Sequence, residues 1–198
     1  MKIWRTTASV VALSLTIVAA AFAATEQGQA PRKEEKMLNE PVSGAGDFDF
    51  FVGHWRVQHR RLKERLAGSH EWIEFEGTSV MQKVMGGYGN MDDNVLESPG
   101  GVFRAVTLRA FDPKARQWQI WYLDSRFPQG PLEPPMRGSF AGGVGTFYAD
   151  DTFNGRPIRV RFLWSRITPT SCRWEQAFST DNGVTWETNW VMDFERAD

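Results

Sequence analysis

The chain has 198 residues, with 41% hydrophobic and 24% charged side chains. That is the composition of one globular domain, and it argues against a disordered or a membrane-embedded protein. Lys and Arg total 23 against 24 for Asp and Glu, a formal net charge of −1, so no global field favours a nucleic acid.

Met1 to Arg5 carries Lys2 and Arg5, and an uncharged apolar run follows from Ala8 to Ala24. Ala21-Phe22-Ala23 ends it with a small-x-small pattern. This is the order of a secretory signal peptide over residues 1–23, too short to span a bilayer. The expected destination is the periplasm or the medium, with no membrane span after cleavage. Residues 24–46 are polar, with Pro31, the charge run Arg32 to Lys36 and a Ser-Gly-Ala-Gly stretch, and read as a tether. The domain is expected over residues 47–198. Its single cysteine, Cys172, permits no internal disulfide, so packing must stabilise it. No local sequence feature marks that thiol as reactive.

From Asp47 onward nearly every segment reads as strand. Phe103 to Phe111, Gln117 to Asp124, Ile158 to Ile167, Arg173 to Ser179 and Trp186 to Phe194 alternate bulky and polar residues. Turn chemistry separates them: Asp112-Pro113-Lys114-Ala115, Asn154-Gly155, Thr168-Pro169-Thr170-Ser171 and Asp181-Asn182-Gly183. Met81 to Gly101 is Gly-rich and reads as irregular. The pattern predicts an all-β antiparallel meander, closed into a barrel of about eight to ten strands because closure removes sheet edges. Ser179 to Trp186 matches the S-x-D-x-G-x-x-W Asp-box once, and reads as a turn stabiliser.

Phe48-Asp49-Phe50-Phe51-Val52-Gly53-His54-Trp55 then resembles the G-x-W opening of lipocalin-like proteins. The resemblance implies that Gly53 and Trp55 form a plug at one barrel end. Arg166, Arg173 or Arg196 could stack on that indole. The chain from Asp47 to Arg196 also resembles an uncharacterised family of exported bacterial domains. The shared stretches are F-D-F-x-V-G-x-W, the H-R-R-L-K-x-R-L of His59 to Leu66, the G-R-P-I-x-V-R-F-x-W of Gly155 to Trp164 and the W-E-x-N-W-V-M-x-F of Trp186 to Phe194. Its broader relatives are the calycins, which include lipocalins, fatty-acid-binding proteins and haem-binding nitrobindins.

In a barrel, alternate side chains face the interior. If Trp55 points inward, so do Val57, His59 and Arg61. The same phase puts Trp118, Ile120, Tyr122 and Asp124 inside, then Phe162 and Trp164, then Trp174, Gln176 and Phe178, and finally Trp190, Met192 and Phe194. On the late strands the opposite phase would bury Arg161, Glu175 and Asn189 instead. The expected ligand set is His59, Arg61, Tyr122, Asp124, Trp164, Gln176 and Trp190. Rings would hold an apolar body, and an Arg or His a carboxylate head. The expected function is an exported protein binding a small hydrophobic or amphipathic molecule. Alternatives are a nitrobindin-like haem protein through His59, an enzyme using Asp124, His59 or Glu175, and an envelope interaction protein with a filled barrel. No zinc-ligand spacing, G-x-S-x-G elbow or phosphate loop occurs, so metal and catalytic residues have no sequence support. The basic run Arg60, Arg61, Lys63 and Arg65 lacks a stacking platform for nucleic acid.

Overall fold

The computed structural model describes residues 43–197. The expected signal peptide and most of the tether lie outside the described residues. A 3₁₀ turn, Asp49–Phe51, leads into ten strands: β1 Gly53–Leu62, β2 Trp72–Val84, β3 Gly89–Ser98, β4 Gly101–Asp112, β5 Gln117–Asp124, β6 Met136–Ala141, β7 Val144–Phe153, β8 Arg156–Ser165, β9 Ser171–Ser179 and β10 Glu187–Arg196. Each pairs antiparallel with the next, and β10 returns to β1 to close a barrel. The closing register runs from Trp55 opposite Arg196 to Arg61 opposite Trp190. The fold is the predicted calycin-like meander.

Period-two patterning builds it. On β1, buried Trp55, Val57 and His59 alternate with exposed Arg56, Gln58 and Arg60. On β2, buried Phe75, Gly77, Ser79 and Met81 alternate with exposed glutamates and neighbours. Gly77 is required because a Cβ there would meet the Val95 carbonyl and come within 2.8 Å of His59 Nε2. The turns follow their chemistry. Asn154 and Gly155 take φ of 50° and 76° between β7 and β8, the conformation a two-residue hairpin needs. Asp112 Oδ1 accepts from the Lys114 and Ala115 amides. Asp181 accepts from the Thr185 amide and hydroxyl and from Ser179 Oγ, which pulls its carboxyl down to about 2. Trp186 Nε1 closes that loop on the Gly183 carbonyl at 3.0 Å.

The segment read as irregular, Met81 to Gly101, holds the end of β2 and all of β3. Gln117–Asp124 is therefore the fifth strand of the barrel. The late strands keep the phase led by Trp174 and Trp190. Asn189 is nonetheless fully buried, because the register shifts between Thr188 and Trp190, and Gln176 Nε2 donates to its Oδ1 at 2.9 Å. Such a bulge places an extra residue without inverting the faces beyond it. Arg161 stays outside, over the Trp186 ring.

One end of the barrel is sealed. Phe48 sits edge-on to Trp118 and Phe140, and Phe51 stacks on Trp55 at 5.3 Å and meets Trp164 and Phe194 edge-on. Gly44 belongs to this end, its carbonyl accepting from Trp118 Nε1. Trp55 Nε1 donates to the Phe51 carbonyl. Of the three arginines considered, Arg196 covers Trp55, 4.3 Å above its ring. Its guanidinium donates to the carbonyls of Phe50, Val52 and Pro169 at 2.8–2.9 Å. Arg196→Ala is expected to lower unfolding free energy by about 1–3 kcal/mol, through lost charged donors and cation–π contact. Arg196→Lys should recover only part of it, since one ammonium cannot replace the planar fork. Urea unfolding of the three proteins measures both.

Candidate functional site

The meander puts the β1–β2, β3–β4, β5–β6, β7–β8 and β9–β10 turns at the end away from the aromatic seal. Each strand therefore carries its inward residues in layers from base to mouth: Trp55, Val57, His59, Arg61 on β1; Trp118, Ile120, Tyr122, Asp124 on β5. Between seal and mouth lies a cavity of about 160 Å³, floored by Phe51 and Trp164. It is smaller than the ~300 Å³ of drug-sized pockets. It matches the ~150 Å³ of a void that accepts benzene.

The cavity has two unlike walls. From β8, β9 and β10 come Phe162, Trp174, Trp190 and Met192, with Trp174 edge-on to Phe162 at 4.8 Å and to Trp190 at 5.7 Å. From β3, β4 and β5 come Asp92, Asn94, Thr107, Arg109 and Tyr122. Asp92 and Arg109 form a buried ion pair, and Arg109 also donates to Asn90 Oδ1. The guanidinium lies over the rings of Phe48, Phe51 and Trp164 at 5.0–5.7 Å. Asn94 Nδ2 donates to Asp92 Oδ2 at 2.7 Å, which fixes the amide beside the cavity. Burial, then the Asp124 charge, push the Tyr122 phenol above its usual range, so its hydroxyl stays protonated.

Of the seven expected ligand residues, His59, Tyr122, Trp164, Gln176 and Trp190 line this cavity. Arg61 stands one layer nearer the mouth, in a second pocket of about 370 Å³ with Ile73, Phe103 and Arg126. Asp124 lies off the cavity, held by the Arg126 fork at 2.5–3.1 Å. Gly53 and Trp55 lie at the sealed end. The polar wall was not foreseen. Asp, Asn and Gly are poor strand formers, and they masked β3. Its signal was the spacing of Asn90, Asp92, Asn94 and Leu96, every second residue, facing Thr107 and Arg109 at the same period.

Catalytic groups do not converge here. His59 is stacked on Phe75 at 4.5 Å, and its Nδ1 accepts from Trp190 Nε1. Burial, helped by the Arg61 charge, pushes its pKa down to about 4, so the ring is neutral. Glu175 lies on the outer face of β9, opposite in phase to Trp174 and Gln176. The Cys172 thiol is buried and pushed up to about 12, far from thiolate chemistry. The residues do not fit haem either. One His59 nitrogen is taken by Trp190, the other lies against Gly77, and the cavity is much smaller than a porphyrin. Among the described residues no cluster of three or more His, Cys, Asp or Glu is arranged for a metal ion.

No family model matches the chain, and no curated protein matches it. Among solved structures it is similar to the S-type phycobiliprotein lyase CPES of Guillardia theta, at 13% identity over 85% of this chain and 99% of that one, with a TM-score of 0.51. It is also similar to Rv2717c of M. tuberculosis, at 10% identity over 79% of this chain and 99% of that one, with a TM-score of 0.52. These likenesses show the fold, a closed lipocalin-like barrel.

The buried imidazole has a consequence for stability. The unfolded chain binds a proton at His59 near pH 6.5, the folded one only near 4. Stability from this group is complete above 6.5 and is lost as pH falls through that window, by up to about 1.4 kcal/mol per unit. His59→Asn should flatten the difference between urea midpoints at pH 7 and pH 4.5.

Proposed function

We propose that the protein is an exported binding barrel whose ligand is a small amphipathic molecule built on a single aromatic or alicyclic ring. The observation that carries this reading is the two-walled cavity. Phe162, Trp174 and Trp190 offer ring faces on one side, while Asn94, Thr107 and Tyr122 offer polar groups on the other. Aromatic walls stack on a flat apolar body, and a few placed polar groups fix its orientation. The ion pair of Asp92 and Arg109 has its charges matched, so the cavity wall asks for hydrogen bonds rather than a counter-ion. Long acyl chains exceed the space; a single ring fills it. Export rests on the leader over residues 1–23, and membership of the exported bacterial family rests on the motifs from Phe48 to Phe194.

Trp174 and Trp190 report occupancy by their fluorescence. Single-ring aromatic compounds should give saturable quenching or shift, and palmitate should not. Ala105 is buried and lines the cavity from β4. Ala105→Leu should fill much of the space, weaken ring binding by about tenfold or more, and leave the thermal midpoint within a few degrees of the native value. A flat response across a ring panel, or undiminished binding in Ala105→Leu, would overturn the reading.

A further inference from the structure

Arg61 is the inward residue of β1 immediately above His59, and its guanidinium lies 5.5 Å over the ring of Trp190, which also lines the cavity. Among the described residues it makes no ion pair and no side-chain hydrogen bond. Its neighbours add to the positive charge. Arg126 shares the mouth pocket and lies 3.7 Å over Phe103, while Arg65 sits over Phe153 and Phe178. Asp124 is spent on Arg126, gripping it through Nε and Nη2. Glu187 accepts from the Leu66 amide beside Arg65. The ion pair at this pocket thus belongs to Arg126, and Arg61 has no carboxylate partner among the described residues. Burial and the nearby Arg126 charge both press on Arg61, whose pKa is lowered. A guanidinium nonetheless stays protonated at neutral pH.

Stacking on Trp190 fixes this cation instead of letting it wander in solvent. The pocket it faces, about 370 Å³ beneath the β3–β4 turn, is large enough for a carboxylate and its water. We propose that the mouth pocket is an anion subsite, in which Arg61 receives a carboxylate carried on a short arm by the ring that fills the cavity. This rests on the cavity reading and narrows its ligand to an aryl-alkanoic acid. The layer step from His59 to Arg61 is two residues, about 7 Å of extended strand. A three-bond arm reaches about 4 Å from the ring to the carboxyl carbon, and a hydrogen bond of about 3 Å to the guanidinium covers the rest. The guanidinium fork suits a planar carboxylate, which it can hold by two parallel hydrogen bonds.

A matched pair of probes tests it. 3-Phenylpropanoate and 3-phenylpropanol share ring and arm and differ in the charged head. Calorimetry on the full chain at low salt should show the acid binding about tenfold or more tighter than the alcohol. That advantage should shrink as salt rises. Arg61→Gln should bring the acid down to the affinity of the alcohol. Equal native affinities for acid and alcohol would overturn the anion subsite and leave the ring cavity standing. So would an acid preference that survives Arg61→Gln. Saturable binding of neither probe would overturn the cavity reading itself, and the subsite with it.

Discussion

The closure of the barrel hangs on Arg196 lying across Trp55. The arginine ends the last strand and the tryptophan begins the first, and they stand opposite each other in the closing register. A barrel formed by a meander must join its two most distant strands, the contact with the greatest loop-closure entropy against it. Here that join is reinforced by a planar cation on an indole and by three carbonyls from two separate segments. Gly53 makes room for it. With φ of 120° and Arg196 Nη1 only 2.6 Å from where a Cβ would sit, the position tolerates no side chain. The G-x-W spacing follows: glycine admits the guanidinium, and the indole two residues on lies under it.

Sealing one end gives the barrel a direction. Phe48, Phe51, Trp118, Trp164 and Phe194 fill the base so completely that the empty volume lies above them, toward the opposite turns. Side chains on the inner face then differ by layer as well as by strand. The base is aromatic, the middle is divided between rings and polar groups, and the mouth carries arginines. A ligand entering a tube of this kind meets charge first and rings next. The order suits the amphipathic ligand proposed above, which would be held in one orientation.

The legible part of the fold was the part written in period two. Trp55, Val57 and His59, or Trp174 and Gln176, declare their faces because bulky residues alternate with charged ones. Hairpins at Asn154-Gly155 and Asp181-Asn182-Gly183 were equally plain, since few residues adopt positive φ without strain. β3 was hidden for the opposite reason. Its inward residues are Asn90, Asp92 and Asn94, which on propensity belong in turns, and they are stable in a strand only because Arg109 and each other satisfy them. That compensation comes from the neighbouring strand, nineteen residues away in the case of Asn90. Asn189 was obscure in another way. A bulge lets one polar residue be buried within a strand whose later residues keep their phase, so both readings of the late strands contained something true.

The polar wall also bears on why the cavity exists. A buried arginine and aspartate cost desolvation that apolar residues of equal volume would avoid, and such pairs are weak contributors to stability. Their geometry does something packing alone would not. The guanidinium is pinned over three rings of the seal, and its partner Asp92 holds Asn94 in turn, so a rigid polar strip rises from the floor along β3. Leucines in these places could lean across and meet the rings of β9 and β10, since flexible apolar side chains collapse into adjacent space. Polar groups tied to one another cannot lean. The wall opposite Trp174 and Trp190 therefore stays back, and the gap between a fixed polar face and a fixed aromatic one is the cavity that the proposed ring would occupy.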